Sequence, residues 1–137
     1  MPGRMLDTLS VEELVRLNGL EVRNAEGEAL GYVDLVFADE TTGRPEWLGI
    51  WNGLPGGRRT IVPIVGARHD GSEIRVPWPK DMVEAAPHYH DRFGRDPRDV
   101  HITREEEEAA YELYGVEPLS PRPSGVYVFR FRALVVG

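Results

Sequence analysis

The sequence contains no cysteine. Disulfide scaffolding, thiolate nucleophiles and cysteine-ligated zinc are excluded at once. Long apolar runs are also missing. No stretch approaches the roughly 18 consecutive apolar residues that a membrane-spanning helix requires. Near the start there is no apolar run of about 7–15 residues of the kind that marks a secretory signal, and Val11-Glu12-Glu13 is acidic instead. A cytoplasmic location without membrane insertion is therefore expected. Lysine is almost absent: of 16 basic residues only Lys80 is a lysine, and the net charge is −7. Nucleic-acid binding draws most of its affinity from neutralised phosphates. The only dense basic pairs are Arg58-Arg59 and Arg130 with Arg132, so the charge balance argues against an RNA or DNA partner.

The chain of 137 residues, 41 % hydrophobic, has one domain's worth of core-forming material. Ser10-Val-Glu-Glu13 is a capping box, in which the Ser hydroxyl accepts from the third helical N–H and the Glu reaches back. It predicts a helix of barely two turns, stopped at Asn18-Gly19. From Leu20 the period changes to two. Strands are predicted at Leu20–Arg23, Leu30–Ala38, Trp47–Trp51, Arg59–Ile64 and Glu73–Val76, with turns at Asn24–Gly27, Asp39–Gly43, Asn52–Gly57 and Asp70-Gly71. Short strands with turn signals every 8–12 residues predict an antiparallel meander that closes into a barrel or stacks on another layer. Gly31 and Gly49, inside strands, mark bends.

Beyond this region, Pro79 opens a helical turn that Pro87 closes, and a second capping box, Thr103-Arg-Glu-Glu106, predicts a helix reaching about Tyr114 with Gly115 as its stop. Glu105 to Glu108 suit the positive end of that helix. Residues 116–125 are a Pro/Ser-rich linker, and the apolar segment Val126-Tyr-Val-Phe-Arg-Phe-Arg-Ala-Leu-Val-Val136 is the strongest strand signal in the chain. A strand of this kind must pair with its own sheet, with a second copy or with a partner.

Leu20-Glu-Val22, Gly31-Tyr-Val-Asp-Leu-Val36, Asp39 with Thr42-Gly43, Trp47-Leu-Gly-Ile50 and Ile61-Val-Pro-Ile64 follow one another in an order and spacing that resemble the PRC-barrel family. That is the fold of the cytoplasmic domain of the photosynthetic reaction-centre H subunit and of the C-terminal half of the ribosome maturation factor RimM. Val76–Pro87 and Ile102–Gly115 are similar to the tail of free-standing bacterial members. The resemblance implies a small mainly-β antiparallel barrel over residues 1–115 with short capping helices. The linker and an extra C-terminal strand, 126–137, lie outside the family pattern. It implies no catalytic residues and no cofactor.

Tests for chemistry agree with that implication. His88, His90 and His101, with Asp91, form the one cluster of metal-ligating type, and the alternative is a solvated polar loop. The serines sit at a cap, a turn and the linker, which is not the setting of a nucleophile with its base. Gly53–Gly57 leads into a strand and lacks the Lys and Ser/Thr of a phosphate loop. Trp47 and Trp51, four apart in one strand, share a face and are either core or interface anchors. With Val126, Val128, Phe129 and Phe131 they make up the candidate interaction set. The expectation is a non-enzymatic binding or adaptor module with an unidentified protein partner, self-associating as a homodimer. A small-ligand or metal-binding protein is the first alternative, and an RNA- or ribosome-associated factor the second.

Overall fold

The computed structural model describes residues 3–54, 57–89 and 100–134. Among them the fold is mainly β, an eight-stranded sheet with a few short helices. Strand β1 (Arg4–Met5) leads through a 3-10 turn, Leu6–Thr8, into helix α1 (Val11–Val15). Both halves of the Ser10–Glu13 capping box are formed. Then come β2 (Glu21–Asn24), β3 (Ala29–Asp39), β4 (Pro45–Trp51), β5 (Arg59–Pro63), β6 (Arg68–His69) and β7 (Ile74–Val76). Helix α2 (Lys80–Ala85), helix α3 (Arg104–Tyr114) and strand β8 (Phe131–Leu134) complete the order. Thr103 and Glu106 form the second capping box, and Gly115 ends α3 in the left-handed conformation at φ 67°, as a helix stop of this type requires.

Strand β3 is the hub. β4 pairs along one edge, from Tyr32↔Trp51 to Ala38↔Pro45. The other edge is shared end to end: β2 takes Ala29 to Tyr32, and β8 takes Val36 to Asp39. Between them, Gly19 N–H donates to the Val33 carbonyl and Val33 N–H to the Leu20 carbonyl, at 2.8 and 2.9 Å. One strand thus organises three others.

Three expectations are corrected. The sheet is mixed, because β2 pairs with β7 in parallel, Val22 opposite Ile74. Nor does the sheet close by hydrogen bonding: its path runs β1-β6-β7-β2-β3-β4-β5. It curls because β5, at one end of that path, and β6, near the other, are joined by residues 64–67 alone. Five peptide steps hold these ends within about 18 Å, so the connection, not a ladder, draws the sheet round. The C-terminal strand is also shorter than the apolar run predicts. The Val128 C=O is engaged elsewhere, accepting from Arg104 N–H at 3.1 Å, whereas the Arg130 C=O accepts from Glu40 N–H at 2.8 Å and so continues the register of β8 on β3 by one rung. Regular pairing with β3 runs from Phe131, and it is intramolecular.

Every residue of β4 between Pro45 and Trp51 is buried, so this strand is covered on both faces. Cross-strand partners share a face. Phe37, Trp47 and Pro63 line one side, where the Trp47 ring lies 4.9 Å from Tyr111 of α3 and Phe37 lies 5.3 Å from Tyr89. Val36, Leu48 and Val62 line the other.

Gly31 is where β3 presses closest to β4. Its φ is +147°, and a Cβ there would stand 2.5 Å from Ile50 Cγ2 and 2.6 Å from the Trp51 carbonyl oxygen. Gly31→Ala is expected to cost about 1–3 kcal/mol through overpacking, read as a lower urea midpoint. An unchanged midpoint would contradict the close approach.

Candidate functional site

The structure divides the residues singled out by sequence. Trp47 is fully buried and Phe131 is 4 % exposed. Both are removed from the candidate interaction set, because α3 covers the Trp47 side of β4 and β8 turns Phe131 inward. Trp51 is half-buried, its Nε1–H donating to the Leu54 carbonyl at 2.9 Å, with the Arg59 guanidinium 5.6 Å from the ring centroid. Val126, Val128 and Phe129 face solvent at 95, 64 and 46 % exposure. His88 forms an isolated bridge with Thr60, and His101 packs on Phe129 with ring centroids 4.5 Å apart. His90 and Asp91 lie outside the described residues, among which no three His, Asp or Glu side chains are grouped to hold a metal.

Sequence reasoning missed the most polar feature of the interior. Arg130, Asp39, Glu46 and Glu107 are each at most 4 % exposed, and they meet where α3, the 39–43 turn and the C-terminal segment converge. Arg130 donates from Nη1 to the Pro121 carbonyl at 2.9 Å, and from Nη2 to Tyr111 Oη at 3.2 Å and the Ser120 carbonyl at 3.3 Å. Its Nε stands 3.2 Å from Glu107 Oε2 and 3.7 Å from Asp39 Oδ2. Glu46 accepts from the Tyr111 hydroxyl and from Leu119 N–H, both at 3.1 Å, and from Ser120 N–H. Glu107 accepts from the Tyr127 hydroxyl at 3.1 Å and faces Arg122 Nε at 3.8 Å. The other oxygen of Asp39 accepts from Thr41 and Thr42 N–H at 2.8 Å each, shaping the turn that the sequence marks.

The electrostatics are lopsided. Two buried carboxylates, Asp39 and Glu107, face one buried guanidinium, a third, Glu46, is linked to it through the Tyr111 hydroxyl, and Arg122 contributes from a half-exposed position. Burial pushes the Glu107 carboxyl above its ordinary value, and Arg130 opposes that rise. Burial, with Glu46 beside it, also drives the Tyr111 hydroxyl far up, so this group remains a proton donor. Glu46 and Arg130 bind the backbone at 119–121, so the 116–125 segment is docked onto the sheet at that point. The cluster anchors the C-terminal segment. Its one trace in sequence is an arginine at the centre of an apolar run.

Removing one partner of a buried ion pair leaves uncompensated charge and typically costs about 3–5 kcal/mol. Arg130→Met is expected to destabilise by that order in urea unfolding, whereas Arg132→Met, at an exposed neighbour, should change little. The pH dependence has a definite sign. With its folded pKa above the ordinary 4.5, Glu107 contributes stability that is fully present below that value and lost as the pH rises through the folded pKa. The stability of the parent relative to Glu107→Gln should therefore fall over urea midpoints taken from about pH 4 upward. A rising difference would reverse the assignment.

The profile of the PRC-barrel domain matches residues 10–83, from the Ser10 cap into α2. No curated protein matches the chain. The matched stretch holds β2 to β7, the turn built on Asp39 and the close approach at Gly31. It spans more than half of the 137 residues, and the chain belongs to the PRC-barrel family.

Proposed function

We propose that this chain is a non-enzymatic binding module that associates through its C-terminal segment, residues 126–134, with a second copy of itself. The observation that carries this is the exposure of Val126, Val128 and Phe129 on a segment whose next residues, Arg130 and Phe131, are buried. Apolar groups presented side by side gain from leaving water. Anchoring through Arg130 and through the Val128 and Arg130 carbonyls lowers the ordering cost that a free tail would bring to association. Beside them β8 pairs only with β3 among the described residues, which leaves a strand edge open for addition. Antiparallel pairing of that edge with its own copy is self-complementary, as a two-fold dimer requires.

Deleting the tail would be a poor test, because Arg130 and Phe131 belong to the interior. The combined variant Val126→Ser, Val128→Ser, Phe129→Ser removes the apolar surface and leaves the anchor. Sedimentation over a concentration series is expected to give a dimer for the parent chain and a monomer for the variant, with equal urea midpoints. A parent chain that stays monomeric, or a variant that dimerises as well, would reject the proposal.

A further inference from the structure

Asparagine occurs three times in the chain, and glycine follows it at Asn18 and at Asn52. Before a glycine, the asparagine carboxamide is open to attack by the next backbone nitrogen, because no side chain shields that nitrogen. The structure gives the two dipeptides similar settings. Both asparagine side chains are exposed, and Gly19 and Gly53 have φ of 88° and 90°. Their hydrogen bonds differ. The Gly19 N–H donates to the Val33 carbonyl at 2.8 Å, and Asn18 Nδ2 donates to the Asp34 carbonyl at 3.3 Å. At this site β3 holds both the attacking nitrogen and the leaving group. At the second site, neither the Gly53 N–H nor Asn52 Nδ2 has a hydrogen-bond partner among the described residues. Instead Asn52 Oδ1 accepts from Leu54 N–H at 3.1 Å, which draws electron density from the carboxamide carbon. The third asparagine, Asn24, precedes an alanine and is fully buried, with its carboxamide bonded to Glu26 and Glu28.

From this contrast we propose that Asn52 is a site of spontaneous modification, losing its carboxamide through a cyclic imide, and that the fold protects Asn18 from the same reaction. The Gly53 amide gives up its proton to solvent, and its nitrogen bonds to Asn52 Cγ. The Cγ–Nδ2 bond breaks and ammonia leaves, giving a succinimide. Water then adds to either imide carbonyl. One opening gives aspartate; the other gives isoaspartate, in which the main chain runs through the former side chain. Water is the only co-reactant, and nothing is oxidised or reduced. Both products carry a new negative charge. Asn52, Arg58 and Lys80 line one small recess, so the carboxylate arises where cations already stand. The isoaspartyl form also lengthens the backbone directly after the Asn52 N–H, which donates to the Arg58 carbonyl at 3.1 Å across the β4–β5 connection. The reaction therefore alters both the charge and the geometry of that connection, which shares no residue with the Arg130 cluster.

The test is peptide mapping by mass spectrometry after the full chain has been aged in mildly alkaline buffer, once folded and once unfolded in guanidinium chloride. Converted sites are recognised by the mass change of replacing an amide with an acid, and the aspartyl and isoaspartyl forms by their separate elution. In the folded chain Asn52 is expected to convert at least about tenfold faster than Asn18, because two hydrogen bonds must open before Asn18 can react. In the unfolded chain the two sites should convert at comparable rates. Asn52→Gln, an exposed substitution that disfavours the cyclic imide, should remove the acidic species that ageing produces on ion exchange, with the urea midpoint of the fresh protein unchanged. Equal conversion of Asn18 and Asn52 in the folded chain would overturn the proposal, as would an Asn52 that stays intact when folded and converts when unfolded. A preference for Asn52 of the same size in the unfolded chain would assign it to neighbouring side chains instead of the fold, and overturn it as well.

Discussion

The buried guanidinium of Arg130 ties the β3–β8 ladder to two parts of the chain outside it, α3 and the backbone at 120–121. It binds the backbone at Ser120 and Pro121, the Tyr111 hydroxyl of α3, and faces Glu107 of α3 and Asp39 at the end of β3. Without a charge at that point the three carboxylates around it would repel one another in a medium that screens them poorly. With it, the C-terminal segment, the last helix and the central strand form one body. Stability alone is a weak reason for such a cluster, since apolar packing of the same volume often does as well. What the cluster adds is direction. Each carboxylate oxygen and guanidinium N–H has a geometry to satisfy, and that fixes where residues 126–130 run.

That fixed path connects packing to surface chemistry. β4 is buried on both faces and β3 has both edges occupied. The centre of the sheet therefore has no face or edge to offer a partner. The exposed features lie at the periphery, where the C-terminal segment shows its apolar side chains and where the N-terminal elements leave a cleft against the β3–β4 turn. The Asp39 turn stands between the two. One carboxylate oxygen closes the turn on Thr41 and Thr42, and the other faces Arg130. Arg44, at the far side of the same turn, lines the cleft.

The parts legible in the sequence were those governed by local physics. Alternation placed the five main strands, Ser10 and Thr103 with their partner glutamates placed the starts of α1 and α3, and Gly115 placed a helix end. Pairing across distance was not legible. The parallel contact of Val22 with Ile74 joins strands far apart in the chain, and nothing in either strand marks its direction. β1 and β6 have two residues each, too few for a period. The candidate site was hidden for a related reason. Arg130 and Arg132 occupy equivalent positions in the apolar run, yet one is buried and the other exposed. Trp47 and Trp51 likewise share a parity, and α3 covers only the first. Alternation assigns a face, but what lies over that face is decided by residues elsewhere.

The same contrast bears on why the C-terminal segment is shaped as it is. A continuous strand over 126–136 would place all its backbone groups in one ladder and let Arg130 follow the side chains of its own parity. Instead the strand spans Phe131–Leu134 with one further rung at Arg130; before it the Val128 carbonyl is taken by the first turn of α3, and the Arg130 side chain lies buried against Asp39 and Glu107. Desolvating a guanidinium is costly, so an arginine enters an interior only where carboxylates and carbonyls wait for it. Here the carboxylates of Asp39 and Glu107 and the carbonyls of Ser120 and Pro121 do. Burial raises the Glu107 carboxyl against the pull of Arg130, and the same poorly screening interior strengthens the attraction that holds Arg130 there. That path leaves Val126, Val128 and Phe129 outside the sheet and in contact with solvent. The exposed apolar surface is a consequence of the buried charge.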